Sequence, residues 1–102
     1  MSFYYTSGFT LACTYGQVEV VKLFLRNAKW KGINLNWQAA DKLTGFHLAC
    51  IRGHYEIVAL IMAHAEELGI NLYLEDSEGQ TGFQMWPEIF IETESEIHLR
   101  RL

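Results

Sequence analysis

Gly8-Phe-Thr-Leu-Ala-Cys-Thr-Tyr-Gly16 and Gly45-Phe-His-Leu-Ala-Cys-Ile-Arg-Gly53 are two versions of one segment, set 37 positions apart. The likeness runs outward from there. Between Gly8–Gln38 and Gly45–Glu75, fourteen of thirty-one aligned pairs are identical, among them Glu19/Glu56, Val21/Val58, Leu23/Leu60, Ala28/Ala65 and the run Gly32-Ile-Asn-Leu35 against Gly69-Ile-Asn-Leu72. A third copy opens on the same spacing at Thr81-Gly82-Phe83 and breaks off. Self-similarity at a period of a few tens of residues marks a solenoid, whose units bury their apolar faces only against one another. Surfaces of that kind mostly bind other proteins.

Each unit reads as two short helices and an extended connection. In the second unit Thr44 is the expected N-cap, its hydroxyl accepting from free backbone N–H groups of the next turn. Phe46, Leu48, Ala49 and Cys50 form the first helix, and Gly53 ends it. A second helix is expected from His54 or Tyr55. Its Ile57, Val58, Leu60, Ile61, Met62 and Ala65 cover more than half the circumference, which predicts burial on two sides. Gly69 closes it. The first unit repeats the plan: Ser7 as cap, Phe9–Tyr15 as helix, Gly16 as stop, Val20–Ala28 as the longer helix and Gly32 as its end. Phe9, Phe46 and Phe83 recur as core positions. Trp37–Leu43 should form a turn projecting from the helices. In the matching Leu74–Gln80 segment, Asp76-Ser77-Glu78-Gly79 suits a tight hairpin tip.

These blocks resemble the ankyrin repeat. Thr44-Gly-Phe-His-Leu-Ala-Cys50 stands where that family has Thr-Pro-Leu-His-x-Ala-Ala, Gly53-His-Tyr-Glu-Ile-Val58 where it has Gly-His-x-Glu-Ile/Val-Val, and Asp76-Ser-Glu-Gly-Gln-Thr81 on its Asp-x-x-Gly-x-Thr hairpin. The resemblance covers roughly residues 2 to 86 and implies an all-α ankyrin-repeat solenoid: two full helix-turn-helix units, a truncated third, and short hairpin loops. The units are expected at about 2–38, 39–75 and 76–86, with 87–102 as a C-terminal tail or a non-repeat cap. Departures from the family are informative. The family unit has about 33 residues, whereas this one has 37. The surplus, Ala28–Lys31 and Ala65–Leu68, is about one helical turn and should lengthen the second helix. The family proline is glycine in every copy (Gly8, Gly45, Gly82), which loosens the helix start. Ala39 and Lys42 replace the Asp and Gly of the first hairpin, and Trp86 with Pro87 halts the third unit.

Composition narrows the function. The formal charge of −4 argues against a nucleic-acid binder, which usually carries a basic stripe. Charge is uneven: residues 1–65 hold six Lys/Arg and three Asp/Glu, while 66–96 hold nine acids and no Lys or Arg. That stretch reads as a solvated acidic end or a docking patch for a basic partner. Cys13 and Cys50 fall at matching positions, too far apart across stacked helices for a disulfide, so they are expected to be small buried thiols of an intracellular protein. No apolar run reaches a membrane span, and no signal peptide opens the chain. His47, Cys50 and His54 are zinc-type ligands in one region, but in the resembled family the two His positions hydrogen-bond to backbone and loops. No metal, cofactor, nucleophile motif or phosphate loop is expected. Trp30, in the added turn, is expected to cover the extended helix end. Trp37 either packs under the hairpin or stands exposed as an anchor. Asn36 matches a hairpin-base Asn that is hydroxylated in some ankyrin proteins; with Tyr73 as its counterpart, no such modification is expected.

The expectation is therefore a non-catalytic module that binds another protein, as a monomer or as part of a longer array. The resemblance places contact on the hairpins and first helices, at Gln38, Asp41, Leu43, Glu75, Ser77, Glu78 and Gln80, and at Thr14, Tyr15, Ile51 and Arg52. The alternative is a structural piece of a longer scaffold that recognises partners elsewhere.

Overall fold

The computed structural model describes residues 6–86. Helix α1 spans Thr6–Thr14, α2 Val18–Lys31, α3 Gly45–Arg52 and α4 Tyr55–Leu68, with 3₁₀ turns at Ala40–Lys42 and Gly82–Met85 and no strand among the described residues. Connections too short to travel fold α1 onto α2 and α3 onto α4. The pairs then stack, α1 on α3 and α2 on α4, and the last 3₁₀ turn packs on α3. The expected tail or cap at 87–102 lies outside the described residues.

The helix ends follow local chemistry. Gly16, Gly32, Gly53 and Gly69 all hold φ between 63° and 69°, the left-handed region that a residue with a Cβ resists. After Gly32 and Gly69, the Ile33 and Ile70 amides return to the Ala28 and Ala65 carbonyls at 3.0 and 2.8 Å, closing each long helix. Both long helices have 14 residues, so the added turn is helical in each unit.

The core is a column of repeat-equivalent pairs: Phe9/Phe46, Ala12/Ala49, Cys13/Cys50, Val21/Val58 and Ala28/Ala65, all buried, with Ile57 and Ile61 fully enclosed. Phe46 meets Phe83 edge-on at 5.2 Å, so the third copy contributes its aromatic ring from a single 3₁₀ turn among the described residues. The family proline is missing for a steric reason. A Cβ on Gly45 would lie 2.8 Å from the Phe9 ring, and one on Gly82 would lie 2.6 Å from the Phe46 ring. Each phenylalanine fills the space that the next unit's proline would need.

Three expectations need correction. Ser7 does not cap α1, because the helix already includes it from Thr6. The reciprocal bonds at the start of α3 pair Thr44 with His47, and those of the third copy pair Thr81 with Gln84. The second flank of α4 is not buried: Ile57, Val58, Ile61 and Ala65 are, but Met62 is 44% and Tyr55 60% exposed. Among the described residues the third copy sets one 3₁₀ turn beside that flank. Trp30 does not cover the end of α2 and is 84% exposed. Ile33, whose N–H returns to the Ala28 carbonyl, packs against the core at the terminus in its place.

Candidate functional site: hairpins and first helices

The start of α3 fixes the second hairpin through one imidazole. The Thr44 N–H donates to His47 Nδ1 at 3.1 Å, and the His47 N–H donates to Thr44 Oγ1 at 3.2 Å. Nδ1 is thereby an acceptor, so the ring proton sits on Nε2. Nε2–H donates to the Gln80 carbonyl at 2.9 Å, tying the hairpin to the helix. His54 acts between units: its Nε2–H donates to the Thr14 carbonyl at 3.0 Å, satisfying an end of α1 that the helix leaves open. Both imidazoles are thus structural hydrogen-bonders, and no group of three or more His, Cys, Asp or Glu side chains among the described residues is placed to hold a metal ion.

The second tip is built around Asp76. Its Oδ1 accepts the Gln80 N–H at 2.8 Å and the Glu78 N–H at 2.9 Å, while the Gly79 N–H closes on its carbonyl at 3.0 Å. The Gln80 amide bond, with that of Glu78, holds this buried carboxyl below the usual carboxylate range. The first tip lacks these partners. It closes from the Ala39 N–H to the Leu43 carbonyl at 2.7 Å, through left-handed Asp41 and Lys42.

Backbone and amide bonds join the two hairpins. Gln38 Nε2 donates to the Lys42 carbonyl at 2.9 Å and the Glu75 carbonyl at 3.0 Å, and the Ser77 N–H donates to the Asp41 carbonyl at 2.9 Å. At the hairpin base Asn36 donates to the Gly69 carbonyl at 2.9 Å and accepts the Asn71 N–H at 2.7 Å. The sequence marks Asn36 as a hairpin-base residue without indicating these bonds. A polar residue at the base of an array of turns is the signal that identifies such a strut. Trp37 is half-buried.

The proposed contact residues therefore fall on elements bonded or packed to one another. Tyr15 and Arg52 are repeat equivalents at the ends of α1 and α3; Tyr15 is 64% exposed, and Arg52 is exposed. Ile51 is 39% exposed, whereas its equivalent Thr14 is half-buried with its hydroxyl donating to the Thr10 carbonyl at 2.8 Å. Asp41, Glu75, Ser77, Glu78 and Gln80 are exposed, and Gln38 and Leu43 half-buried. Leu11, absent from the sequence-based set, is 55% exposed on α1. Cys13 and Cys50 are free and buried, and burial pushes the Cys13 thiol up, with the neighbouring Cys50 adding to it. Burial likewise pushes Cys50 up to about 12. Neither is an activated nucleophile.

No helix among the described residues is long and apolar enough to cross a membrane. A comparison with curated proteins found no match. The family model for ankyrin repeats (3 copies) matches residues 8–85, the span over which the paired helices, glycine stops and linked hairpins recur. The chain belongs to the ankyrin-repeat family, whose members are generally protein–protein interaction modules.

Proposed function

We propose that this chain is a non-catalytic module that binds a partner protein along its hairpins and first helices, inside the cell. The observation that carries the reading is the pairing of exposed equivalents: Tyr15 with Arg52 on the helix ends, and Asp41 with Glu78 on the tips. A partner laid across both units meets an aromatic ring, a guanidinium and a run of carboxylates, on a framework held by the Gln38 and His47 bonds. Tyr and Arg are the side chains that most often dominate interface energies, and a rigid frame limits the entropy lost on binding. Affinity capture from cells, with the captured protein then titrated in pure form, tests this. Alanine at Tyr15, Arg52 and Glu78 together should weaken that titration at least about tenfold. Unchanged affinity would reject the face.

A second reading, a structural piece of a longer scaffold, draws on the exposed apolar side chains of α4. Tyr55 and Met62 are exposed there and border a groove of about 410 Å³ with Phe83 and Trp86. A scaffold piece should self-associate or melt without cooperativity, whereas a self-sufficient module should sediment as a monomer and melt in one transition.

A further inference from the structure

The longest helices carry a second surface that the hairpin face does not explain. Between α2 and α4 lies a cleft of about 540 Å³. Leu25, Leu60 and Leu68 form its apolar floor, and Trp30 and Lys29, both supplied by the added helical turn, stand at its edge. Lys22, Arg26 and Lys29 recur at three- and four-residue steps along α2 and so share one face. Lys22 is paired with Glu19 at 3.2 Å, whereas Arg26 and Lys29 form no ion pair among the described residues. The opposite wall contributes His64 and Glu67, which are 3.5 Å apart.

The repeat supplies an internal control. At the positions equivalent to Lys22, Arg26, Lys29 and Trp30, the second unit has Ala59, Ala63, Glu66 and Glu67. Forming the 14-residue helix therefore requires neither the cations nor the indole. Lys29, beside the end of α2, also complements the helix dipole, but Arg26 lies too far from that end and Trp30 carries no charge. An indole that is 84% exposed beside three cations and a leucine floor is arranged for contact.

We propose that this cleft is a second docking site, for an acidic peptide segment of a partner protein that carries an aromatic or branched aliphatic anchor. The anchor lies between Trp30 and the leucine floor, and flanking carboxylates pair with Arg26 and Lys29. Charge complementarity selects this occupant. The chain as a whole is at −4, so an acidic segment is repelled by the acidic hairpins and drawn to the basic face of α2. A concave floor between two helices, with Glu67 on one wall, suits a side chain better than a flat anionic membrane.

The test uses a fluorescein-labelled synthetic peptide in which glutamates flank a Leu-Phe-Leu core, with a lysine-for-glutamate peptide as control, titrated against the full chain by anisotropy. The glutamate peptide should bind, weaken with added salt and outcompete the lysine peptide. The variant K22A/R26A/K29E/W30E carries the second unit's own residues, which keeps it compatible with the fold, and circular dichroism checks its helicity. It should lose at least about tenfold in affinity, while alanine at Tyr15, Arg52 and Glu78 should leave binding within about twofold. Equal binding of the two peptides, or full binding by the quadruple variant, would overturn the site. So would capture of phosphatidylserine vesicles without peptide binding, or a dimer in sedimentation that the quadruple variant abolishes.

Discussion

Asp41 and Lys42 hold φ of 61° and 60°, so the first hairpin tip turns through two left-handed residues, neither of them glycine. Asp tolerates that region because its short side chain bonds locally, but Lys bears the full clash of Cβ with backbone. Lys42→Gly should therefore stabilise the chain by about 1 kcal/mol and raise its melting temperature by about 4–8 °C. A thermal melt followed by circular dichroism reads this directly. Asp76 makes a prediction of opposite sign. Its folded carboxyl titrates below the usual value of 3.8, so the ionised form stabilises the fold above that pH and the gain is lost as pH falls through the lower folded value. The melting temperature should drop below about pH 3.8. Asp76→Asn keeps an Oδ1 acceptor but cannot titrate, so its acid slope should be shallower. Equal slopes would remove Asp76 as the source.

At the scale of elements, each copy's helix start is fitted to the ring of the copy before it. The 2.8 Å approach of a Gly45 Cβ to Phe9 is to a buried ring, which has little room to yield. Gly45→Ala should cost about 1–3 kcal/mol in urea unfolding. Combined with Phe9→Leu, the family's own residue type, the cost should be less than the sum of the two single changes, a coupling of about 0.5–3 kcal/mol. Additive costs would mean that the ring does not set the glycine. This fit also shows how legibility divides. Glycine stops, the Thr44 cap, the added turns and the Asp76 tip were readable because each depends on residues within a few positions. The reason for Gly45 was not, since it lies in a ring thirty-six positions away in sequence. The exposure of Trp30 and Met62 was hidden for a related cause. Periodicity marks which side chains are apolar, but which flank is covered is decided by the neighbour that packs there. Of the proposed contact residues, most are exposed, as their positions in the repeat predict, and Thr14, Gln38 and Leu43 are half-buried. The basic cleft was not legible, because its cations sit on one unit only and break the repeat that guided the reading.

For the whole molecule, the two thiols stand at successive seams and report on each separately. A Cβ on Gly45 would lie 3.0 Å from Cys13 Sγ, at the α1–α3 seam, and one on Gly82 would lie 3.4 Å from Cys50 Sγ, at the seam between α3 and the third copy. Only thiolate reacts with alkylating agents, and burial holds both thiols protonated, Cys50 up to about 12. Labelling at mild pH therefore requires a seam to open. A solenoid is stabilised unit by unit through its neighbours, and among the described residues the third copy brings one 3₁₀ turn against α3, held by Phe83 on Phe46 and on Tyr73. That seam should open at lower cost than the α1–α3 seam, where two helices meet. Iodoacetamide labelling followed by mass spectrometry should accumulate protein modified at Cys50 alone, with Cys13 reacting only at the rate of global unfolding. Raised thiol pKa values also stabilise the fold below the usual 9.0 and lose that contribution as pH rises beyond it, so both rates should climb above about pH 9.0 by more than thiolate chemistry alone accounts for. If the two cysteines react together, with no singly labelled species, the third copy is as firmly seated as the first two and the array opens as one unit.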